Sequence, residues 1–169
     1  MREFERIIFV GKSGVCREAM AMELLKKQPL WHPVEVLSRG FVVLFPEPIN
    51  QKADAVMIGN GIHIGKYMST PLESSDFGRD TLILTFDQEM REKILSMEGA
   101  QNVYVLTDVT GDELEILNPY GAELITYGLC FETLEKTIQK LAEVLNSGEF
   151  FEETEMEAQG EAPEEMDSE

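Results

Sequence analysis

The chain has 169 residues, enough for one domain with a sizeable core and a short appendage, and its 43% apolar and 27% charged content are ordinary for a globular protein. A formal net charge of -18 repels nucleic-acid backbones and anionic membrane surfaces, so neither is expected as a partner. Cys16 and Cys130 are too few for a disulfide framework and lack metal-ligand spacing, and no stretch reaches membrane-spanning length, so a reducing, cytoplasmic setting without metal or cofactor is expected.

In chain order, Ile7 to Val10 reads as a buried parallel strand: short, apolar throughout, and β-branched or aromatic. Gly11 to Val15 follows as a loop, and a helix is predicted from Cys16 to Lys27, ending before Pro29. Val34 to Leu37 is a second strand, stopped by Ser38-Arg39-Gly40. A helix over Ile49 to Ile58 is closed by Gly59-Asn60-Gly61. Thr81 to Thr85 is a third strand and Asp87 to Met97 a helix. Asn102 to Leu106 is a fourth strand, and a loop from Thr107 to Tyr120 contains the turn sequence Asn118-Pro119-Tyr120-Gly121. A long amphipathic helix over Ala122 to Leu145 carries Leu134, Ile138, Leu141 and Leu145 at helical spacing.

Strands alternating with helices imply right-handed βαβ units. The expected fold is α/β, a three-layer α/β/α domain over residues 1–147 with a four-stranded parallel sheet. Ligands in such folds bind outside the carboxyl ends of the strands. Residues 148–169 contain ten Asp or Glu and no Lys or Arg. This acidic tail is expected to lack a fixed structure, although Phe150 and Phe151 have the character to dock on the body.

The loop after the first strand is the candidate site. A tight connection into a helix N-terminus presents unpaired backbone N–H groups and a positive dipole end, which together form an anion cradle. Gly11 and Gly14 allow positive φ and close approach of an oxyanion. Arg17 offers a planar fork for two oxygens, and Lys12 adds charge at the mouth. The expected phosphate-binding set is Lys12, Ser13, Gly14, Val15, Cys16 and Arg17. Among the other polar and aromatic residues, Trp31 is expected to pack between helix and strand. His63 and Tyr127 are expected to be structural, and Cys130 to be a buried small hydrophobe.

The run Phe9-Val10-Gly11-Lys12-Ser13-Gly14-Val15-Cys16-Arg17-Glu18-Ala19-Met20-Ala21 resembles the opening of low-molecular-weight protein-tyrosine phosphatases, roughly F-V-C-x-x-N-x-C-R-S-x-M-A. The likeness continues through Ser38-Arg39-Gly40, Phe45-Pro46-Glu47-Pro48, Asp80 to Thr85 and Asn118-Pro119-Tyr120-Gly121, in order, over residues 5 to 146. The resemblance implies the fold, an oxyanion cradle, and a pocket wall at Tyr120.

It also implies a loss. The family's nucleophilic cysteine lies six positions before the arginine, and here that position is Gly11. The general-acid aspartate corresponds to Asn118, whose amide has no proton of suitable acidity. Cys16 matches a neighbouring, non-catalytic cysteine. Gly14 replaces an asparagine that braces the loop, and Glu18 replaces a serine that helps hold the thiolate. With no catalytic residues and degenerate positions Gly11 and Asn118, the expectation is a pseudophosphatase. It would bind phosphate, sulfate or a phosphorylated ligand, or a protein partner reached through the acidic tail, in a regulatory role. Two alternatives stand beside it: a weak or divergent phosphatase using Ser13 or water as nucleophile, and a purely structural interaction module. An arsenate-reducing branch of the fold relies on further cysteines, which this chain lacks.

Overall fold

A computed structural model describes residues 3–148 together with Phe150 and Phe151. Four parallel strands, β1 (Arg6–Gly11), β2 (Glu35–Gly40), β3 (Thr81–Thr85) and β4 (Val103–Val105), lie in the order β2-β1-β3-β4. The helices are α1 (Arg17–Lys26), α2 (Gln51–Gly59), α3 (Gln88–Leu95), α4 (Leu106–Thr110) and α5 (Leu124–Ser147). Alternation along β1 divides the core. Ile7 and Phe9 face the layer that contains Met20 and Leu25 of α1, Met57 of α2, and Leu134, Ile138 and Leu141 of α5. Ile8 and Val10 face the opposite layer with Ile83, Val103 and Ile94 of α3. The expected three-layer α/β/α domain with a four-stranded parallel sheet is the observed one.

The chain runs from β1 outward to β2, then crosses back to β3 on the other side of β1. That reversal opens a crevice beyond the carboxyl ends of β1 and β3. Gly11 ends β1 there, and Phe86 and Asp87 follow β3 into the same place.

Several elements differ from expectation. β2 continues through Ser38, Arg39 and Gly40 instead of stopping before them, because Gly40 pairs with Gly11 and its carbonyl accepts from Leu72 N at 2.9 Å. α4 falls in what the sequence presents as loop; five residues are too short to display helical periodicity. Trp31 is 65% exposed rather than packed: its indole donates to Glu3 Oε1 at 2.7 Å, and its amide donates to Asn146 Oδ1 at 2.8 Å. His63 is exposed, whereas Tyr127 and Cys130 are buried.

Beyond residue 147, Phe150 and Phe151 pack on the body, the docking their aromatic character allows. Phe151 is 1% exposed, with its ring 5.1 Å from Phe4 and 5.6 Å from Tyr104, and Phe150 lies 5.8 Å from Tyr104. Two aromatic rings supply the apolar area that the neighbouring glutamates cannot. Residues 152–169, the rest of the expected tail, lie outside the described residues.

Truncating this clasp tests its weight. Phe151→Ala should lower the unfolding free energy by about 3 kcal/mol, the ordinary cost of emptying a buried phenylalanine site, as measured by urea denaturation. A loss under about 0.5 kcal/mol would keep the boundary at residue 147.

Candidate functional site

The loop between β1 and α1 is pinned from three sides. Gly11 and Lys12 carbonyls accept from Phe41 N at 2.8 Å and Val42 N at 2.9 Å, and the Val15 carbonyl accepts from Asn50 N at 2.9 Å. The Tyr67 hydroxyl donates to the Gly14 carbonyl and lies 2.7 Å from Ser38 Oγ. Burial pushes the Tyr67 phenol up to about 12, so this brace stays protonated. Tyr67 thus steadies the loop at Gly14, where a bracing asparagine is absent. The sequence reading did not single out Tyr67, because it lies fifty-three positions away from the carbonyl it holds.

Gly14 has the expected positive φ, +83°. Gly11 does not; it is the last residue of β1 in ordinary extended pairing, so its need for glycine has another origin. A Cβ built on Gly11 would stand 1.9 Å from Glu18 Oε2 and 2.6 Å from Glu18 Cδ. The Glu18 carboxyl therefore lies in the volume that any side chain at position 11 would enter.

Glu18 is 2% exposed. Its Oε1 accepts from Cys16 N at 3.0 Å, and the amides of Gly14 and Glu18 itself also favour its charged form, as does the Arg17 guanidinium. Burial outweighs these and raises its pKa above the ordinary carboxyl value. A glutamate in the first turn that reaches back to the N-cap amide is a common helix-starting device. Complete burial within a strand-to-helix loop is not part of that device.

Arg17 is 7% exposed and partly committed. Its Nη1 donates to the Ile116 carbonyl at 2.7 Å, and its Cζ lies 4.9 Å above the Phe86 ring. It still lines two cavities that flank the loop. One, of about 340 Å³, includes Lys12, Ser13, Glu18, Asn118 and Tyr120 among its walls. The other, of about 240 Å³, includes Gly11, Lys12, Phe86, Lys93 and Asn118. Lys12, Arg17 and Asn118 line both cavities; Ser13, Val15, Cys16 and Tyr120 line the larger one and Gly11 the other, whereas Gly14 lines neither. Asn118 is exposed at its mouth, with Oδ1 accepting from Tyr120 N at 3.2 Å. Tyr120 is 77% exposed.

Cys16 is buried, and desolvation, reinforced by the Glu18 charge, pushes its thiol up to about 12. The thiolate, which is the reactive form, is scarce at neutral pH. Cys130, on α5, is likewise pushed up to about 11 by burial. Among the described residues, no group of three or more His, Cys, Asp or Glu is placed to hold a metal ion.

The buried carboxyl sets a pH dependence. Because its folded-state pKa is raised, the native state keeps a proton that the unfolded chain releases near the ordinary value of 4.5. Glu18 therefore makes the fold lose stability as pH rises from about 4.5 toward its folded value, and the effect is constant beyond it. Urea titrations at pH 4 to 8 should show wild type weakening relative to Glu18→Gln across that window. A difference between the two proteins that is independent of pH would show an unshifted carboxyl.

The comparisons with known proteins agree with this geometry. The family model for low molecular weight phosphotyrosine protein phosphatase matches residues 6–149. Low molecular weight protein-tyrosine-phosphatase PtpB of Staphylococcus epidermidis is 30% identical over 151 residues, covering 86% of this chain and 97% of its own. Among solved structures, YwlE arginine phosphatase from Geobacillus stearothermophilus superposes with a TM-score of 0.76 at 27% identity, covering 86% of this chain and 96% of its own. The tyrosine phosphatase Wzb from Escherichia coli K30, in complex with sulphate, shares the fold with a TM-score of 0.73 at 21% identity, covering 84% and 99% of the two chains. A strand-loop-helix cradle at the switch point of a four-stranded parallel sheet, matched along nearly the whole described chain, places this protein in the low molecular weight phosphotyrosine protein phosphatase family.

Proposed function

We propose that this chain is a non-hydrolysing member of its family, a pseudophosphatase that acts by binding at the cleft rather than by turnover. The observation that carries this reading is at the end of β1. Position 11 is a glycine, and a carboxyl group lies in its side-chain volume. Phosphoryl transfer to the protein needs an activated nucleophile at the floor of the cradle. Glycine has none, and Cys16, buried and held as a thiol, does not supply one. Departure of an alkoxide or phenolate also needs a proton donor, and the Asn118 amide at the mouth is not one.

Binding is supported by what remains. Backbone donors converge at a helix N-terminus, Arg17 lines the cleft, and a fold relative is known in complex with sulphate. The ligand of this reading is phosphate, sulfate or a phosphorylated group, held by the loop from Lys12 to Arg17, with Tyr120 on the cavity wall. A protein partner carrying that group would meet Val42, 51% exposed, and Tyr120 on the wall of the larger cavity. The reading includes a cytoplasmic setting and an acidic tail that engages basic surfaces. Among the described residues no helix is long and apolar enough to cross a membrane.

The named relatives are tyrosine and arginine phosphatases, so both chemistries are the ones to assay. The purified protein should turn over aryl phosphates and phosphoarginine at least about 10⁴-fold more slowly than an active relative, since nucleophile and acid are both missing. Turnover within that range, abolished by Arg17→Ala or Ser13→Ala, would instead establish a divergent phosphatase.

A further inference from the structure

The backbone donors of the cradle already have an acceptor. Cys16 N donates to Glu18 Oε1 at 3.0 Å, the Gly14 and Glu18 amides support the same carboxyl, and Arg17 attracts it. These are the groups that would otherwise receive an external oxyanion at a helix N-terminus. We infer that Glu18 is a tethered ligand of this cradle, one that any external phosphate or sulfate must displace, and that Gly11 is the residue that makes room for it. The inference rests on reading the cleft as an oxyanion site.

Geometry supports it from two independent directions. The donor side is the hydrogen bonding just described. The space side is Gly11, whose missing Cβ would lie 1.9 Å from Glu18 Oε2. A helix-capping glutamate needs only the donors; it does not need the neighbouring strand to end in a residue without a side chain. Glu18 also forms part of the wall of the cavity of about 340 Å³, so rotation of its side chain toward that cavity is the route by which the cradle would open.

A tethered group competes at a high effective concentration, and an external ligand binds only the open fraction, so its apparent affinity falls by that fraction. Glu18 thereby sets which anions enter. A weakly held monoanion does not displace it, whereas a dianionic phosphoryl group with further contacts at the rim can. The side chain acts as a threshold on ligand binding.

The test uses the full chain with inorganic phosphate and sulfate, followed by calorimetry and thermal unfolding. Glu18→Ser should tighten phosphate binding by about tenfold or more, as for a wild-type cradle open less than a tenth of the time. Gly11→Ala, which expels the carboxyl by steric contact alone, should give a gain in the same direction. The drop in Tm caused by Gly11→Ala should also shrink in the Glu18→Ser background, because the clash is then absent. Equal phosphate affinity in wild type and Glu18→Ser would overturn the role of Glu18 while leaving the binding function intact. Absence of binding in both, at millimolar anion, would overturn both readings. An identical Tm loss from Gly11→Ala in both backgrounds would place the carboxyl elsewhere in solution.

Discussion

Amide donors at the start of a buried helix need an acceptor. In this protein the acceptor comes from within the same turn. The Glu18 carboxyl receives the Cys16 amide, sits beside Arg17, and fills the volume left by Gly11. The amide hydrogen bonds and Arg17 offset part of the cost of burying this carboxyl, and its raised pKa marks the part they leave. The environment of Cys16 follows in part from that pairing.

Around it the scaffold is committed to holding the loop still. Val15, Gly11 and Lys12 are fixed through their carbonyls by the segment that follows β2, and Gly14 by Tyr67. Arg17 is held by the Ile116 carbonyl and the face of Phe86, contacts that tie α1 to the segments after β4 and β3. The strand-loop-helix turn is therefore held by neighbours on several elements.

Much of this was legible in the sequence. The apolar runs Ile7 to Val10 and Thr81 to Thr85 identify central parallel strands because both of their faces are covered. The spacing from Gly11 to Arg17 identifies the loop, and Asn118-Pro119-Tyr120-Gly121 places the far lip of the cleft. The destination of Glu18 was not legible. A glutamate in a first helical turn is favoured by the dipole wherever its side chain goes, and its insertion depends on space created by a residue on another element. Trp31 misled for the opposite reason: an aromatic between helix and strand usually packs, but Glu3 and Asn146 offer it polar partners at the surface. Gly11 was read for φ freedom and for close approach of an oxyanion, whereas in the fold its φ is ordinary and the Glu18 carboxyl takes the space.

The overlap between the Glu18 carboxyl and the side-chain volume at position 11 also couples two positions that belong to different elements. Any single replacement of Gly11, cysteine included, collides with a neighbouring residue before it meets a substrate. A side chain at position 11 therefore requires the carboxyl end of Glu18 to swing aside. Positions 11 and 18 thus form one packed pair, and the side chain at either sets the space that the other can fill at the base of the cleft.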